Sequence, residues 1–516
     1  MSKKIYPIGV QDFEKLRKDG YMYVDKTALM YKMITTGSYY FLSRPRRFGK
    51  SLLISTLKAY FQGKKDLFVG LAIEQMEKDW MERPVLHLDL NIEKYGSTES
   101  LEKILDDHLK RWEKDYDVDV ISDSLPLRFA NVIRRACEKT GERVAILVDE
   151  YDKPLLQSIG NKDVQTELRN MLKPFYGVLK TMDGCIKFAL LTGVTKFGKV
   201  SVFSDLNHLM DISMDQRYTE ICGISERELH TCFREEIMDL AARQSMSFED
   251  VTEKLRIAYD GYHFAPNTEG LYNPFSVLNT FARMTFGNYW FETGTPTYLV
   301  ELLKKNGYEL EHVDGVEVGI ETLSGVDATD TDAIPVIFQS GYLTIKGYDP
   351  RFNVYTLGYP NKEVEEGFVK FLLPFYTPIV ESKSAFQIKN FVKEVESGDI
   401  DGFFARLQTL FSDTTYELVR QQELHYSNVL YIVFKLMGFY TQVEYHTNKG
   451  RIDLVLQTPD YIYIMEFKLN GTAEEALQQI NEKDYAAPFA KDLRKLYKIG
   501  INFSSETRNI EKWLIG

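Results

Sequence analysis

The stretch RPRRFGKS at residues 44–51 joins a short apolar run to a helical pattern. Before it, SYYFLS at 38–43 predicts a buried strand, and after it LLISTLKAYF at 52–61 places apolar side chains at helical spacing. Its last three letters, G-K-S, match the end of the pattern G-x-x-x-x-G-K-[ST], although Arg44 stands where that pattern has its first glycine. The stretch therefore predicts either a polyphosphate-binding loop or a basic strand-to-helix turn.

The charge around this stretch suits a polyphosphate. From 41 to 60 the chain has five basic residues and no acidic one. In a phosphate-binding loop the backbone N–H groups, that of Gly49 among them, and the N-terminus of the next helix point at the phosphates. Lys50 would contact the outer phosphates, and the Ser51 hydroxyl would ligate Mg²⁺.

A second motif, VAILVDEYD at 144–152, favours the nucleotide site over the basic turn. An apolar run that ends in two carboxylates is typical of a parallel strand buried on both faces, and α/β sites lie at the C-terminal ends of such strands. Asp149 would hold Mg²⁺, directly or through water, and Glu150 would polarise the attacking water. The alternative for this motif alone is an acidic cap at a strand end.

Two further runs predict more strands of a doubly wound parallel sheet, PVLHLDL at 84–90 and IKFALLTGVTKF at 186–197. The second contains Thr192 and Thr195, small polar residues where a sensor of the γ-phosphate would lie. Threonine is also an ordinary strand residue, so both interpretations stay open.

Six segments, taken together, resemble the bacterial AAA-ATPase-like family: KKIYPIGVQDFEKLRKDGYMYVDKT, FLSRPRRFGKSLL, ILVDEYDKP, LLTGVTKF, SVFSDLNHL and YDGYHF. In that family R-P-R-R-F-G-K-S is the normal form of the loop, and the resemblance covers roughly residues 3 to 300. It implies an ATP-binding P-loop NTPase core. One or more of Arg44, Arg46 and Arg47 is expected to supplement the charge of Lys50.

Near the C-terminus, GRIDLVLQTPDYIYIMEFKLN at 450–470 predicts a hairpin with charges at its centre. Asp453 alternates with aliphatic residues, and Glu466 and Lys468, two apart, share one face of the next strand. Such charges are costly to bury without a purpose. Asp453, Glu466 and a backbone carbonyl could hold Mg²⁺, and Lys468 could orient or deprotonate a water or stabilise the transition-state phosphate. The alternative is a surface charge cluster.

This D-x12-E-x-K array resembles the PD-(D/E)XK nuclease superfamily, in which these three positions form the catalytic set. The preceding helix, QQELHYSNVLYIVFKLMGF at 421–439, carries Glu423, which matches the accessory carboxylate of that superfamily. The following helix, AEEALQQINEKDY at 473–485, carries Gln479, which matches a glutamine often near the metal. The tail resembles the nuclease-like domain that accompanies the AAA-ATPase-like family.

The rest of the chain carries weaker signals. Residues 224–244 and 251–264 predict helices, and the aromatic turn YDGYHF is interpreted as a packing motif rather than an acid/base site. GYLTIKGYDPRFNVYTLGYP at 341–360 predicts a hairpin. KDLRKLYK at 491–498 predicts a helix with a basic face, which either follows a phosphate backbone or is simply solvated.

Length and composition predict a soluble globular protein of two to four domains, since the chain has 516 residues, 44% of them hydrophobic and 27% charged. The motifs and the two resemblances together imply an α/β fold class. The expected domains are a P-loop AAA-ATPase-like core at 1–215 with a doubly wound parallel sheet, and a helical lid at 216–300. A middle connecting region at 301–400 and an α/β restriction-endonuclease-like domain at 401–516 follow.

Charge and cysteine usage narrow the expected partners. A net charge of −12 excludes a broadly basic nucleic-acid coat but leaves room for a local basic groove. Four scattered cysteines suit the reducing cytoplasm, and no apolar segment predicts a secretion signal or a membrane span.

Two functions fit these patterns. The first is an ATP- and Mg²⁺-dependent nuclease that acts on nucleic acid, DNA more than RNA, and that is free to form a homo-oligomer. The second is a nucleotide-switched regulatory protein whose nuclease-like domain binds nucleic acid without cutting it. The intact set of Asp453, Glu466 and Lys468 favours the first, whereas the acidic composition favours the second.

Overall fold

The computed structural model describes residues 4–120, 122–159, 161–196, 206, 208–291, 297–325, 333–412, 422–438, 442–447 and 452–516. The chain divides into two compact units. The first comprises Met1–Gly294 and Asp314–Val364, and the second comprises Thr295–Val313 and Glu365–Gly516. The four domain boundaries expected from the sequence stay a prediction.

The strands among the described residues are, in chain order, β1 (Tyr39–Ser43), β2 (Val85–Asp89), β3 (Val144–Asp149), β4 (Ile186–Gly193), β5 (Met210–Asp211), β6 (Ile224–Ser225), β7 (Leu271–Tyr272), β8 (Val316–Gly319), β9 (Thr344–Asp349), β10 (Val354–Gly358), β11 (Gln442–Thr447), β12 (Ile452–Gln457), β13 (Tyr461–Leu469), β14 (Lys495–Ser504) and β15 (Asn509–Ile515).

The α-helices of the same residues are α1 (Phe13–Lys18), α2 (Thr27–Thr36), α3 (Lys50–Phe61), α4 (Ala72–Met76), α5 (Thr98–Tyr116), α6 (Leu125–Thr140), α7 (Lys153–Gln157), α8 (Lys162–Thr181), α9 (Glu226–Cys232), α10 (Arg234–Gln244), α11 (Phe248–Tyr259), α12 (Pro274–Arg283), α13 (Thr297–Lys305), α14 (Ile320–Ser324), α15 (Ile334–Gln339), α16 (Lys362–Tyr376), α17 (Glu381–Ser397), α18 (Ile400–Ser412), α19 (Gln422–Met437) and α20 (Ala473–Glu482). None of these helices is long and apolar enough to cross a lipid bilayer.

The first unit contains a five-stranded parallel sheet in the order β2-β3-β4-β1-β5. Every residue of β1 and β3 is buried, as expected for strands covered on both faces. The four strands predicted around the motifs are therefore confirmed, and so is the doubly wound parallel sheet. Because parallel strands end at one edge, the carboxyl ends of β1, β3 and β4 lie side by side, where ligands bind in such sheets.

The helical part of the first unit packs around one apolar cluster formed by α9, α10, α11 and α12. The predicted helix at 224–244 is broken at Phe233 into α9 and α10, and the next predicted helix ends at Tyr259. The hairpin predicted at 341–360 is present as β9 and β10, and β8 pairs with β10 on its other side.

The second unit is built on a five-stranded mixed sheet in the order β11-β12-β13-β14-β15. β13 and β14 are parallel and are joined through α20, while the other pairs are antiparallel. Ile462 and Ile464 of β13 pack against Ile480 of α20. This unit confirms the predicted α/β C-terminal domain.

The helix predicted at 491–498 is wrong. Lys495 begins β14, which pairs with β13 from Tyr461↔Lys495 onward. The helical spacing of basic residues is a local pattern, whereas this strand is fixed by pairing with a segment more than 30 residues earlier and by burial of its second half. The basic residues of that stretch therefore do not form one helix face.

Candidate functional sites

The loop between β1 and α3 contains two residues with left-handed backbone. The φ angle is 67° at Arg47 and 96° at Gly49. Such a conformation costs a residue with a side chain about 1–2 kcal/mol, so glycine suits position 49. Gly49 precedes Lys50, the first residue of α3, and no side chain among the described residues caps that N-terminus. The first N–H groups of α3 can therefore serve an anionic ligand.

A cavity of about 490 Å³ lies against this loop, within the size range of small-ligand pockets. Its polar lining comprises Gln11, Arg46, Arg47, Lys50, Ser51, Asn91, Glu150, Asp152, Lys153 and Gln157. Four of these side chains are basic and two are acidic. The cavity thus places positive charge and carboxylates around one space, as a polyphosphate with an accompanying cation requires.

Lys50 is held by its own loop. Its Nζ donates to the carbonyl oxygens of Arg44 at 2.9 Å and of Pro45 at 3.1 Å, and the residue is only 5% exposed. The ammonium group is therefore fixed at the wall of the cavity, next to the N-terminus of α3.

The three loop arginines are placed differently. Arg44 is 1% exposed, and its guanidinium donates to main-chain carbonyls at 2.9 Å (Ser43) and 2.7 Å (Ser213) and stacks 4.0 Å from the ring centre of Phe264. Arg46 and Arg47 are exposed and line the cavity. The structure thus brings Arg46 and Arg47, but not the Arg44 side chain, to the cavity wall, because the Arg44 guanidinium is engaged in the interior.

Asp149 and Thr192 meet at the ends of two adjacent strands. Thr192 Oγ1 donates to Asp149 Oδ1 at 2.7 Å, and both residues are buried. The pairing fixes the orientation of the carboxylate that was predicted to hold Mg²⁺. The Thr192 hydroxyl, predicted to sense phosphate, is directed to that carboxylate.

Glu150 follows Asp149 with a left-handed backbone, φ 53°, and lines the cavity. Burial raises the pKa of Glu150, and the positive charge of Lys50 opposes this rise. A carboxyl group with a raised pKa in a ligand cavity is suited to accept a proton.

Asp152 was not singled out from the sequence, although the cavity is lined by it. Its Oδ2 accepts hydrogen bonds from the N–H of Val194 at 3.0 Å and from the N–H and hydroxyl of Thr195 at 2.6 and 2.7 Å. Burial raises the pKa of Asp152. The available signal was its position as the third carboxylate in VDEYD, two residues beyond Glu150.

The aromatic turn YDGYHF contacts the loop between β1 and α3. Phe48 of the loop packs edge-on against the rings of Tyr262 and Phe264, at centroid distances of 4.7 and 5.4 Å. His263 Nδ1 lies 2.8 Å from the carbonyl oxygen of Thr268. These contacts agree with the predicted packing motif, and they buttress the loop from the interior side.

In the second unit, Glu466 and Lys468 meet Gln479 of α20. Lys468 Nζ lies 3.0 Å from Glu466 Oε1, and Gln479 donates to the same carboxylate while accepting from Lys468. Glu466 is fully buried, at 0% exposure. The structure therefore brings together three of the residues that the sequence placed in the nuclease site.

Asp453 and Glu423 are described only by their backbone. Asp453 lies in β12, where the register pairs it directly with Glu466 of β13. Glu423 lies in the first turn of α19. Their side chains lie outside the described part of the protein. Among the side chains that are described, no group of three or more His, Cys, Asp or Glu is placed to hold a metal ion.

The basic residues between 491 and 498 have separate partners. Arg494 bonds Asp492 and Gln457, and Lys498 donates to Asn481 at 2.7 Å. These residues therefore do not form the single basic helix face that the sequence predicted.

Two family models match the chain in the regions of the two sites. The family described as "Predicted AAA-ATPase" matches residues 7–203, and the PD-(D/E)XK nuclease superfamily matches residues 421–513. A protein of Azotobacter chroococcum mcd 1, described as "Uncharacterized protein in vnfD 5'region", is 35% identical over 529 residues, which cover 100% of this chain and 99% of that relative. The loop and cavity of the first unit lie within the first match, and the Glu466–Lys468–Gln479 cluster lies within the second. The chain therefore belongs to the AAA-ATPase-like family and carries a C-terminal domain of the PD-(D/E)XK nuclease superfamily.

Proposed function

We propose that the first unit binds and hydrolyses ATP and that the second unit cleaves phosphodiester bonds with the help of Mg²⁺. The observation that carries the ATPase proposal is one cavity lined both by Lys50 and Ser51, the first residues of α3, and by Glu150. The second half is supported by the contact of Lys468 with the buried carboxylate of Glu466.

The residues of the cavity fit a nucleoside triphosphate. Lys50 supplies a charge fixed at the loop, and the exposed residues Arg46 and Arg47, which line the cavity, add two more. We assign phosphate contact to Arg46 and Arg47 rather than to Arg44, since Arg44 donates to backbone carbonyls and thereby holds the loop. The backbone N–H groups from Gly49 onward complete the anion site.

Hydrolysis needs a base and a cation site beside the phosphates. Ser51 and Asp149 would hold Mg²⁺, which when bound offsets negative charge on the phosphates. Thr192 orients Asp149 through their 2.7 Å hydrogen bond. Glu150, with its pKa raised by burial, would take a proton from the attacking water.

The second site offers a candidate base and carboxylates of the kind that bind Mg²⁺. Asp453 and Glu466, paired in register, would hold the ion with Glu423 as an accessory ligand. Such an ion polarises a phosphodiester and lowers the pKa of a bound water. Lys468 would orient or deprotonate the attacking water, and Gln479 holds both Lys468 and Glu466 in place.

The substrate class and setting are proposals as well. We favour DNA over RNA as the nucleic acid that is cut, and we place the protein in the cytoplasm. The cytoplasmic setting is supported by the four cysteines, all of which are present as free thiols. Assembly into a homo-oligomer stays a prediction.

One assay tests both halves. Purified full-length protein is incubated with Mg²⁺ or Mn²⁺, with and without ATP, on matched panels of DNA and RNA, and phosphate release and strand cleavage are both measured. Wild type is expected to do both, Lys50→Ala to lose ATP hydrolysis, and Asp453→Asn to lose cleavage. If wild type and Asp453→Asn bind nucleic acid but leave it equally intact, the nucleotide-switched binding protein replaces the nuclease.

A further inference from the structure

Asp152 connects the nucleotide cavity to the end of β4. The residue is 1% exposed, and it lies in the turn between β3 and α7. One carboxylate oxygen, Oδ2, accepts three hydrogen bonds of 2.6–3.0 Å from Val194 and Thr195. This one side chain therefore binds two consecutive residues immediately after β4.

The second carboxylate oxygen, Oδ1, accepts no such hydrogen bonds. Asp152 Oδ1 is buried and has no hydrogen-bond partner among the residues that the structure describes, although Asp152 lines the cavity. Loss of hydration at this oxygen is not offset by a hydrogen bond, so the orientation of the side chain depends on the hydrogen bonds of Oδ2.

The turn approaches β4 closely enough that glycine is required there. A Cβ at position 193 would lie 2.6 Å from Asp152 Oδ1 and 2.7 Å from the ring of Tyr151. The Tyr151 hydroxyl also donates to the carbonyl oxygen of Thr195 at 2.9 Å. Tyr151 and Asp152 thus both bind the short segment that follows β4.

The segment that follows β4 also contacts two other elements. After Thr195, the N–H of Lys196 donates to Gln339 of α15 at 2.7 Å, and Lys196 Nζ pairs with Asp211 of β5 at 2.9 Å. A shift of Thr195 would therefore disturb the contacts that Lys196 makes with α15 and β5. The Thr195 hydroxyl, predicted from the sequence to sense phosphate, is instead directed to Asp152.

We propose that Asp152 is a positioning residue for ATP hydrolysis, an inference that rests on the ATPase proposed above. Its Oδ2 holds Val194 and Thr195 in place beside the cavity that Asp152 lines. A nucleotide in the cavity then affects the positions of Thr195 and Lys196 through Asp152. Asp152 does not contribute the base, which is Glu150, and it does not contact phosphate, which its charge would repel.

The test compares Asp152→Asn with Thr195→Val in the full chain, by calorimetric ATP affinity and steady-state hydrolysis. Asparagine keeps one acceptor oxygen for the Val194 and Thr195 N–H groups, but it replaces the other oxygen with an NH2 group and removes the negative charge that strengthens those hydrogen bonds. We expect kcat to fall at least tenfold in Asp152→Asn and severalfold in Thr195→Val, with ATP affinity within about threefold of wild type. The double variant should be no slower than Asp152→Asn alone, because both changes act on one connection.

Glu113→Gln is the matched control. Glu113 is a buried carboxylate of the same unit that pairs with Arg128 of α6, outside the cavity lining. This variant should lower thermal stability without changing kcat, which separates loss of a buried carboxylate in general from loss of Asp152.

Four outcomes would overturn the proposal. A kcat within twofold of wild type in Asp152→Asn, or additive losses in the double variant, would overturn the positioning role alone. A loss of ATP affinity as large as the loss of kcat would assign Asp152 to binding and would also overturn it. If wild type itself neither binds nor hydrolyses ATP, the proposed ATPase fails, and this inference fails with it.

Discussion

Lys50 has a positive charge that the loop fixes through two backbone carbonyls. Its replacement by alanine removes a charged hydrogen-bond donor, worth about 1.5–3 kcal/mol, from the wall of the cavity. We expect Lys50→Ala to weaken ATP binding by at least about tenfold in titration calorimetry. Lys58→Ala, a change two turns along the same helix and outside the cavity lining, is the control. Equal ATP affinity in the two variants would refute the phosphate role of Lys50.

Glu150 gives the ATPase a characteristic pH dependence. A base acts in its ionised form, so hydrolysis is retained above the pKa of Glu150 in the folded protein and is lost as the pH falls through it. Because burial raises that pKa, the acid limb of the pH–rate profile should have its midpoint above the usual glutamate value of about 4.3. Glu150→Gln should bind ATP normally, turn over at least about a hundredfold more slowly and lack this limb. An unchanged acid limb in Glu150→Gln would show that another group is responsible for that limb.

Lys468 should matter for cleavage more than for metal binding. It contacts Glu466 and Gln479, so its loss leaves the Glu466 carboxylate with its bond from Gln479. We expect Lys468→Ala to slow phosphodiester cleavage by about a hundredfold or more, while Asp453→Asn also weakens Mg²⁺ binding. Lys498→Ala, in the adjacent strand and bonded to Asn481, is the control and should cleave as wild type does. Metal affinity that falls equally in Lys468→Ala and Asp453→Asn would contradict the separate roles.

At the scale of elements, the placement of Gln479 depends on how closely α20 approaches β14. A Cβ at Gly500 would lie 2.2 Å from the Ala473 carbonyl oxygen and 2.5 Å from the Leu477 nitrogen, both backbone atoms. Only a residue without a side chain allows this approach, which sets the helix that carries Gln479 against the strand pair β13–β14.

Gly500→Ala should therefore destabilise the second unit by about 1–3 kcal/mol or more, as overpacking does. Amide hydrogen exchange in β13 and β14 should accelerate, and cleavage should fall because Gln479 is displaced from Glu466. Gly177→Ala is the control, since a Cβ there meets nothing within 4 Å and alanine stabilises a helix interior. Unchanged exchange in Gly500→Ala would show that α20 shifts without cost.

At the scale of the whole molecule, one chain carries an ATPase-like and a nuclease-like domain. A nuclease that is always active endangers its own cell, so we predict that nucleotide state controls cleavage. The γ-phosphate can do this only if it makes different contacts in two conformations. A coupling of about 1–3 kcal/mol would change affinity between the sites about five- to 150-fold.

Cleavage rates are compared with ATP, ADP and a non-hydrolysable analogue, in wild type and in Lys50→Ala. We expect the rates to differ among the nucleotides in wild type and to be equal in Lys50→Ala, which retains the second site. Identical wild-type rates with every nucleotide would mean two independent enzymes in one chain.

The local patterns of the sequence were sufficient for the framework of both units. Apolar runs predicted β1, β2, β3 and β4, because a strand buried on both faces must be apolar throughout. Alternation and the E-x-K spacing placed Glu466 and Lys468 on one face of β13, where they are found in contact. In each case the information lies within a few residues, so that periodicity alone reveals it.

Other features were decided only by the tertiary structure. The sequence did not distinguish which of Arg44, Arg46 and Arg47 faces the ligand site, and in the structure the Arg44 guanidinium lies in the interior, where it donates to the carbonyls of Ser43 and Ser213. Asp152 drew no attention in the sequence, since its significance depends on Thr195, 43 residues away. The segment 491–498 was expected to be a helix and instead leads into β14, because pairing with β13 outweighs a local spacing of charges. The sequence by itself thus determined the strands and the chemistry of the two motifs, whereas long-range pairing and burial, which no local window contains, determined β14 and the partners of Arg44 and Asp152.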